Sequence, residues 1–286
     1  MADYLPLIAS HNSMEIVYLP FVLLGLAFLT CWKSREKGVW AGFAFLSVVS
    51  AYFLGNVTLL GVLILSGWAL LWAIYSRLVS SRWQKLVFAI LIVLSYGFKF
   101  HLFSGFQPLA ITPRFLLGME SPWIGLFSLA LFVPLALTGK EWREALTKGL
   151  WLTVAGIAAM ILLAAASRTV AFEVHLPTFA LIRYLHNLVL VSISEEAFYR
   201  GFVQEQLSTW LPNTRWGKGC ALVSASLLFM LAHSYWSPNP MILAYTFLAG
   251  LLYGGVYMLS GRIESAILCH FLLNAIHMTF FSYHAM

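Results

Sequence analysis

The segment VTLLGVLILSGWALLWAIYS, residues 57–76, indicates the fold class of the whole chain. It carries no charged side chain, and about 20 residues in an α-helix span ~30 Å, the thickness of the hydrocarbon core of a bilayer. Apolar segments of similar length recur along the sequence, whereas the alternating stretches of ~10 residues typical of a membrane β-barrel are absent from it. We therefore predict an all-α fold, a polytopic membrane helical bundle with about 8–10 transmembrane helices.

The composition excludes an ordinary soluble domain. Of the 286 residues, 61% are hydrophobic and 10% are charged, and the mean hydropathy is +0.84. Soluble domains contain about 25% charged residues, so this chain cannot cover a surface that faces water. The net charge of +6 is spread over short connections rather than gathered in a basic domain. We therefore expect a lipid bilayer around the chain and no nucleic acid as a partner.

The predicted helices and the basic residues between them suggest an orientation. We expect helices at roughly 14–32, 38–54, 57–76, 84–103, 122–138, 149–166, 178–210, 220–235, 240–260 and 264–282. Basic residues concentrate in every second connection, namely Lys33, Arg35, Lys37, Arg77, Arg82, Lys85, Lys140, Arg143, Lys148, Arg215, Lys218 and Arg262. The connections between them hold only Lys99, Arg114 and Arg168. Because cytoplasmic loops are rich in Lys and Arg, both termini are predicted to be non-cytoplasmic.

The chain is predicted to form one membrane domain with two parts, an N-terminal extension and a catalytic core. Residues 1–120 form a predicted N-terminal extension of about four helices, whose few polar groups, Asn56, Lys99 and His101, lie near helix ends. We expect this extension to serve as a scaffold or in substrate entry. Residues 121–286 form the predicted catalytic core. Within it, residues 139–149, GKEWREALTKG, are expected to form a loop or a short interfacial helix.

Ionisable residues inside a membrane are costly and mark functional sites by default. The predicted seventh helix contains SEEAFYRG, residues 194–201. Glu196 and Arg200 are four residues apart, so they share a helix face and can form an ion pair. Glu195 points about 100° away from Glu196 and lies outside this i,i+4 pair. A carboxylate in that setting is suited to act as a general base.

Two further segments interrupt the apolar pattern. FMLAH, residues 229–233, ends an apolar run with a histidine, and HFLLN, residues 270–274, places His270 and Asn274 one helical turn apart, with His277 extending the same stripe. A carboxylate, two imidazoles and a carboxamide from three helices can meet only inside a bundle. Together they could deprotonate a water molecule, hold it and donate hydrogen bonds to a developing oxyanion.

Each of these features also has a purely structural explanation. Glu196 with Arg200 would join helices as an ion pair, and His233 would be a helix-end histidine with a satisfied hydrogen bond. Polar pairs such as His270 with Asn274 also hold membrane helices together.

Cys269 beside His270 suggests a thiol nucleophile, although adjacent helical residues diverge. The GxxxG of residues 250–254, GLLYG, predicts close helix packing.

The motifs EExxxR (195–200), FxxxH (229–233) and HxxxN (270–274) together resemble the three motifs of the CPBP family of intramembrane proteases. That family includes the CAAX prenyl endopeptidases and bacterial relatives linked to bacteriocin self-immunity or protein sorting. The resemblance covers roughly residues 120–286. The first four predicted helices have no counterpart in it and are expected to mark a specialised subfamily, such as a bacterial one associated with sorting.

The resemblance implies a glutamic-type peptidase that needs no cofactor. Glu195 would activate water with the help of His233, while His270 and Asn274 would stabilise the oxyanion. The ion pair between Glu196 and Arg200 would hold the helix that carries Glu195 in place. The candidate catalytic residues are therefore Glu195, Glu196, Arg200, His233, His270 and Asn274.

A metal-dependent version of this site remains an alternative. Glu195, His233 and His270 would then be zinc ligands and would leave the fourth position to water. The sequence contains no HExxH motif, and one carboxylate with two histidines suits either chemistry.

The expected partner is a membrane-embedded or lipid-anchored protein or peptide, cleaved for example in a C-terminal sorting or anchor segment. The expected location is the bacterial inner membrane, and the sequence leaves the oligomeric state open. Two other classes of function stay open as well. Intramembrane Glu, Arg and His also form proton relays in transporters, and a catalytically silent relative would bind a partner membrane protein.

Overall fold

The computed structural model describes residues 7–8, 16–33, 37–78, 82–113, 115–235 and 237–283. The predicted start of the first helix at residue 14, and Arg35 and Arg114 of the charge pattern, lie outside the described residues. Within them the chain is overwhelmingly helical, which confirms the all-α fold class. It forms two compact units, Met1–Leu131 and Phe132–Met286. The predicted boundary at residue 120 between extension and core stays a prediction.

The first unit contains five helices and one small sheet among its described residues. The helices are α1 (Leu19–Lys33), α2 (Lys37–Phe53), α3 (Leu59–Arg77), α4 (Arg82–Lys99) and α5 (Trp123–Leu131), and a short 3-10 turn, Ile16–Tyr18, precedes α1. The sheet has the order β1 (Leu7–Ile8), β2 (Leu109–Thr112) and β3 (Phe115–Leu117), with β1 parallel and β3 antiparallel to β2. These strands were not expected from the sequence.

Aromatic packing holds the first unit together. The rings of Trp68 and Trp72 pack edge to face with centroids 5.8 Å apart, and Phe98 packs on Trp68 at 5.1 Å. The Trp68 indole also donates to the backbone oxygen of Trp123, at 3.0 Å. Helix α5 ends at Leu131 instead of continuing to residue 138 as predicted. Pro134 explains the early end, because proline lacks an N–H donor and disfavours helix at the residue before it.

The second unit consists of a helical bundle with a two-stranded sheet at one end. Its elements are α6 (Gly139–Lys148), α7 (Leu150–Ala166), β4 (Val170–Phe172), α8 (Ala180–His186), α9 (Ile193–Phe198), α10 (Glu205–Trp210), α11 (Arg215–His233), α12 (Pro240–Ser260), α13 (Ile263–Phe280) and β5 (Phe281–Tyr283). Two π-helical segments, π1 (Asn187–Ser192) and π2 (Tyr199–Gln204), join α8, α9 and α10 into one long helix over residues 180–210. Strand β4 pairs antiparallel with β5.

Helix α6 fixes the end of the bundle that is opposite the β4–β5 sheet. It begins with a capping box between Thr138 and Glu141, so the segment 139–149 is a helix rather than a loop. The Arg262 guanidinium lies 3.4 Å from Glu141 Oε1, and Ser265 Oγ donates to the backbone oxygen of Ala145 at 2.5 Å. These contacts anchor α6 against the turn between α12 and α13.

The GxxxG on α12 allows the close packing that the sequence predicted. A Cβ at Gly250 would lie 3.1 Å from Ser226 Cβ, and one at Gly254 would lie 2.3 Å from Leu222 Cδ1 and 2.6 Å from Gln204 Oε1. Gln204 in turn donates from Nε2 to the backbone oxygen of Gly254, at 3.2 Å. The missing side chains of Gly250 and Gly254 therefore leave room for side chains of α11 and π2 to pack directly against the α12 backbone.

We expect Gly254→Ala to lower the free energy of unfolding by about 1–3 kcal/mol, because its methyl group overpacks this contact. Gly219→Ala on α11 is the matched control, since a Cβ there meets nothing within 4 Å. Alanine is favoured over glycine in a helix by about 1 kcal/mol, so the control should keep or raise stability. Thermal unfolding in detergent measures both, and equal melting temperatures would contradict the close packing.

Six described helices are long and apolar enough to cross a membrane. They are Ile16–Lys33, Leu59–Arg77, Gly139–Ala166, Arg215–His233, Pro240–Ser260 and Ile263–Phe280, and the shorter Gly38–Phe53 is also apolar. The protein is therefore an integral, multi-pass membrane protein, as predicted. All the candidate catalytic residues lie in the second unit.

Candidate active site

The long helix 180–210 carries both adjacent carboxylates at its centre. Glu195 and Glu196 lie on the short helix α9, between π1 and π2, and are 4% and 0% exposed. π-helical turns are rare and occur often at functional sites, because each inserts an extra residue and re-aims the side chains that follow. Here they flank the only adjacent pair of acidic residues within the described helices of the second unit.

Glu196 and Arg200 form the ion pair that their spacing predicts. Arg200 Nε lies 3.1 Å from Glu196 Oε2, and both side chains are fully buried. A buried ion pair needs good geometry to offset the loss of solvation. Here the two opposite charges lie side by side in the bundle interior.

Aromatic rings surround the Arg200 guanidinium. Its central carbon lies 4.9 Å from the ring centre of Phe229, 5.8 Å from that of Tyr253 and 6.0 Å from that of Tyr199. Guanidinium groups within about 6 Å of an aromatic face are attracted by the ring quadrupole, more strongly when both are desolvated. These rings replace part of the hydration that the cation loses in the bundle.

His270 on α13 contacts both carboxylates. Its Nδ1 lies 2.8 Å from Glu196 Oε1, and its Nε2 lies 4.0 Å from Glu195 Oε2. An ionised carboxylate accepts hydrogen bonds only, so His270 Nδ1 carries a proton and donates a hydrogen bond to Glu196. Glu196 thus binds Arg200 with one oxygen and orients His270 with the other.

His233, at the end of α11, is oriented by its own helix. Its Nδ1 lies 2.7 Å from the backbone oxygen of Phe229. Because a carbonyl oxygen accepts but cannot donate, Nδ1 carries the proton, and Nε2 of the neutral ring is a hydrogen-bond acceptor. That Nε2 lies 3.9 Å from Glu195 Oε2, and the side chain is 16% exposed.

Three atoms therefore converge on one point in the bundle: Glu195 Oε2 and the Nε2 atoms of His233 and His270. The two distances to the carboxylate oxygen, 3.9 Å and 4.0 Å, exceed the range of a direct hydrogen bond, ~2.7–3.2 Å. A polar contact across such a gap is commonly bridged by a water molecule. The geometry suits a small molecule held between one carboxylate and two imidazoles.

Asn274 lies one turn beyond His270 on α13 and is half-buried. Within the described part of the chain its side chain has no hydrogen-bond partner, so its carboxamide remains available to a ligand. The neighbouring Cys269 is directed elsewhere, because its thiol hydrogen-bonds Thr153 on α7. This divergence of Cys269 from His270 agrees with the expectation for adjacent helical residues.

The structure shows two further buried polar side chains that the sequence did not single out, and of these Tyr253 contacts the site. Tyr253 on α12 stacks on His270, with ring centres 4.5 Å apart and 12° between the planes. Glu264 at the start of α13 is 4% exposed and accepts the backbone N–H of Ala136 at 2.7 Å. Glu264 was visible as an ionisable residue near a membrane helix, whereas Tyr253 was one aromatic residue among many.

The arrangement was also compared with the requirements of zinc. Zinc ligands lie ~2.0–2.2 Å from the metal, so two ligands of one tetrahedral ion lie roughly 3.4 Å apart. Glu195 Oε2 is 3.9 Å and 4.0 Å from the two imidazole nitrogens. Among the residues that the structure describes, no three His, Cys, Asp or Glu side chains are arranged to hold a metal ion. As placed, these side chains fit a bridging water better than a zinc ion.

The chain was compared with protein-family models and with known proteins. Residues 177–276 match a protein-family model described as Rce1-like, Type II CAAX prenyl endopeptidase Rce1-like. The matched range contains all three motifs and confirms the resemblance predicted from them. No curated protein and no solved structure matches the chain.

Proposed function

We propose that this protein is an intramembrane endopeptidase of the glutamic type, which hydrolyses a peptide bond in a membrane-associated protein or peptide. The observation that carries the proposal is the position of Glu195 Oε2 inside an apolar bundle, 3.9 Å from His233 Nε2 and 4.0 Å from His270 Nε2. The match of residues 177–276 to an endopeptidase family supports the same reaction class.

In the proposed reaction a water molecule binds between Glu195 and His233. It donates one hydrogen bond to the Glu195 carboxylate and the other to the bare Nε2 of His233. Glu195 removes the first proton as the water oxygen attacks the scissile carbonyl carbon, forming a tetrahedral intermediate. Glu195 then passes that proton to the leaving amine nitrogen while the C–N bond breaks. Both fixed acceptors are needed, because together they turn the lone pair of the water towards the substrate.

The oxyanion of the intermediate would be stabilised from α13. The carboxamide NH2 group of Asn274 can always donate a hydrogen bond, because it does not need to be protonated first. His270 has its Nδ1 proton committed to Glu196 at 2.8 Å, so it donates from Nε2 only as an imidazolium. In the intermediate, where Glu195 holds the proton taken from water, the Glu196 carboxylate and the oxyanion would together balance the positive charges of Arg200 and the imidazolium. Such preorganised donors act strongly in a site that excludes water.

We propose that the substrate is membrane-embedded or lipid-anchored and that the protein resides in a bacterial inner membrane. A site inside an apolar bundle is reached most directly by a chain that already lies in the bilayer. The family description names CAAX prenyl endopeptidases, so a lipid-bearing C-terminal segment is a reasonable substrate to test. A C-terminal sorting or anchor segment is a second form of the same class.

The function can be tested on the natural membrane. Peptides from cells that make the wild-type protein would be compared by mass spectrometry with those from cells that make Glu195→Gln. We expect a truncated membrane protein or a released C-terminal peptide only with the wild type. An internally quenched farnesylated CAAX peptide serves as a purified probe. Identical peptide profiles, with no cleavage of the probe and proton-coupled uptake in vesicles instead, would favour a transporter.

The orientation of the second unit gives a separate prediction. Its basic end carries Arg215, Lys218 and Arg262, and we place that end in the cytoplasm. In a Cys220→Ser background, Trp216→Cys offers an accessible thiol there, since Trp216 is 86% exposed. Glu173→Cys offers one at the end that holds β4 and β5.

We expect a membrane-impermeant maleimide to label Glu173→Cys on intact spheroplasts and Trp216→Cys only after permeabilisation. The remaining cysteines, Cys31 and Cys269, are buried and should stay unlabelled. The opposite labelling pattern would invert the proposed orientation.

A further inference from the structure

Tyr253 contacts the site without taking part in the chemistry proposed above. It is 2% exposed, and its ring lies nearly parallel to that of His270, with centroids 4.5 Å apart and planes 12° apart. Phe229 meets the His270 ring edge to face, at 5.9 Å and 86°. The imidazole is thus held against the face of one ring and at right angles to another.

We infer that Tyr253 is a positioning residue that fixes the plane of the His270 imidazole; this inference rests on the proposed peptidase function. The hydrogen bond to Glu196, 2.8 Å long, restrains the Nδ1 end of the ring. The reacting end is Nε2, 4.0 Å from Glu195 Oε2. A tilt of the ring about its Nδ1 end would displace Nε2 and leave the hydrogen bond to Glu196 almost unchanged. The parallel face of Tyr253 blocks that tilt.

The packing of α12 explains how Tyr253 reaches this position. Tyr253 lies between Gly250 and Gly254, whose missing side chains let α12 approach Ser226 and Leu222 of α11. Tyr253 also packs edge to face on Phe229 at 6.1 Å and lies near the Arg200 guanidinium at 5.8 Å. Its ring therefore has neighbours that hold it rigidly, which is the property that a positioning residue needs.

The ring rather than the hydroxyl performs this role, and two variants separate them. Tyr253→Phe keeps the stacked ring and should retain the wild-type kcat. Tyr253→Leu removes the ring, so Nε2 of His270 is no longer held, and kcat should fall about 10- to 100-fold, the cost of a misplacement of ~1 Å. KM should stay unchanged, because the substrate contacts are kept. The farnesylated CAAX probe reports both constants.

Tyr257→Leu is the matched control for lost packing. Tyr257 lies one turn further on the same helix, and its hydroxyl donates to Glu205 on α10 at 3.3 Å. Losing this ring should lower the melting temperature about as much as Tyr253→Leu does while leaving kcat near the wild-type value. If both leucine variants lost kcat equally, general packing would explain the effect and the inference would fail.

The position of His270 can also be tested without measuring cleavage, so the test does not depend on the proposed peptidase function. Diethylpyrocarbonate modifies accessible imidazoles, and mass spectrometry measures the rate at which the His270 side chain is modified. His270 is 2% exposed, so modification should be slow in the wild type and in Tyr253→Phe and faster in Tyr253→Leu. An unchanged rate in folded Tyr253→Leu would overturn the positioning role even if the peptidase activity is established. If Tyr253→Leu does not fold, a loss of kcat in Tyr253→Phe would overturn it instead.

Discussion

A Glu195→Gln variant is expected to lose about 10²- to 10⁴-fold in kcat, the typical contribution of a general base. Glutamine has nearly the same shape, but its amide cannot take a proton from water. The side chain is 4% exposed within α9, so the replacement should fit without repacking. Cleavage of the farnesylated CAAX probe, or of a substrate found by mass spectrometry, measures the loss. Folding and membrane insertion should be unchanged.

Glu205→Gln provides the control for this experiment. Glu205 lies on the same long helix, is exposed, and accepts a hydrogen bond from Tyr257. Its replacement removes the same charge from the same helix without touching the histidines, so activity should stay near that of the wild type. A Glu195→Gln protein that still turns over substrate at the wild-type rate would remove Glu195 from the role of base.

An Arg200→Ala variant is expected to lose stability as well as activity. Arg200 and Glu196 are both fully buried, at 3.1 Å, so the substitution leaves the Glu196 carboxylate in the bundle without its cation. Breaking a buried ion pair in this way costs about 3–5 kcal/mol. Because Glu196 also orients His270, kcat should fall in whatever fraction of the protein still folds. Thermal unfolding in detergent and the cleavage assay measure the two effects.

Lys148→Ala is the matched control, because Lys148 and Glu144 form an i,i+4 pair at 3.4 Å whose side chains are 54% and 34% exposed. Exposed pairs contribute less than about 1 kcal/mol, so this variant should melt close to the wild type. Equal losses in Arg200→Ala and Lys148→Ala would contradict the burial argument.

The double variant Glu196→Leu with Arg200→Met separates stability from positioning. Replacing a buried ion pair by apolar residues is often neutral or stabilising, so the melting temperature should recover. Activity should not recover, because His270 loses the acceptor that holds its Nδ1. A double variant with restored activity would show that the pair serves only to hold the helices together.

Much of the fold could be predicted because a bilayer permits few kinds of secondary structure in a segment that crosses it. Backbone groups inside hydrocarbon must be satisfied within the segment, so an apolar run of sufficient length has to be a helix. This reasoning applies to α3 (Leu59–Arg77) and α12 (Pro240–Ser260), whose observed bounds lie close to the predicted ones. The sequence missed the early end of α5 and the short strands, which depend on local turns and on pairing partners far away in the chain.

The sequence by itself determined that the chain lies in a membrane, that it is helical, and that Glu195, His233 and His270 interrupt the apolar pattern. These features follow from composition and helical spacing, which are properties of single segments. Only the tertiary structure decided which atoms face one another: Nδ1 of His270 on Glu196, Nδ1 of His233 on the Phe229 carbonyl, and both Nε2 atoms towards Glu195. The physical reason is that these contacts join different helices or depend on ring rotation, and neither is encoded in spacing along one segment.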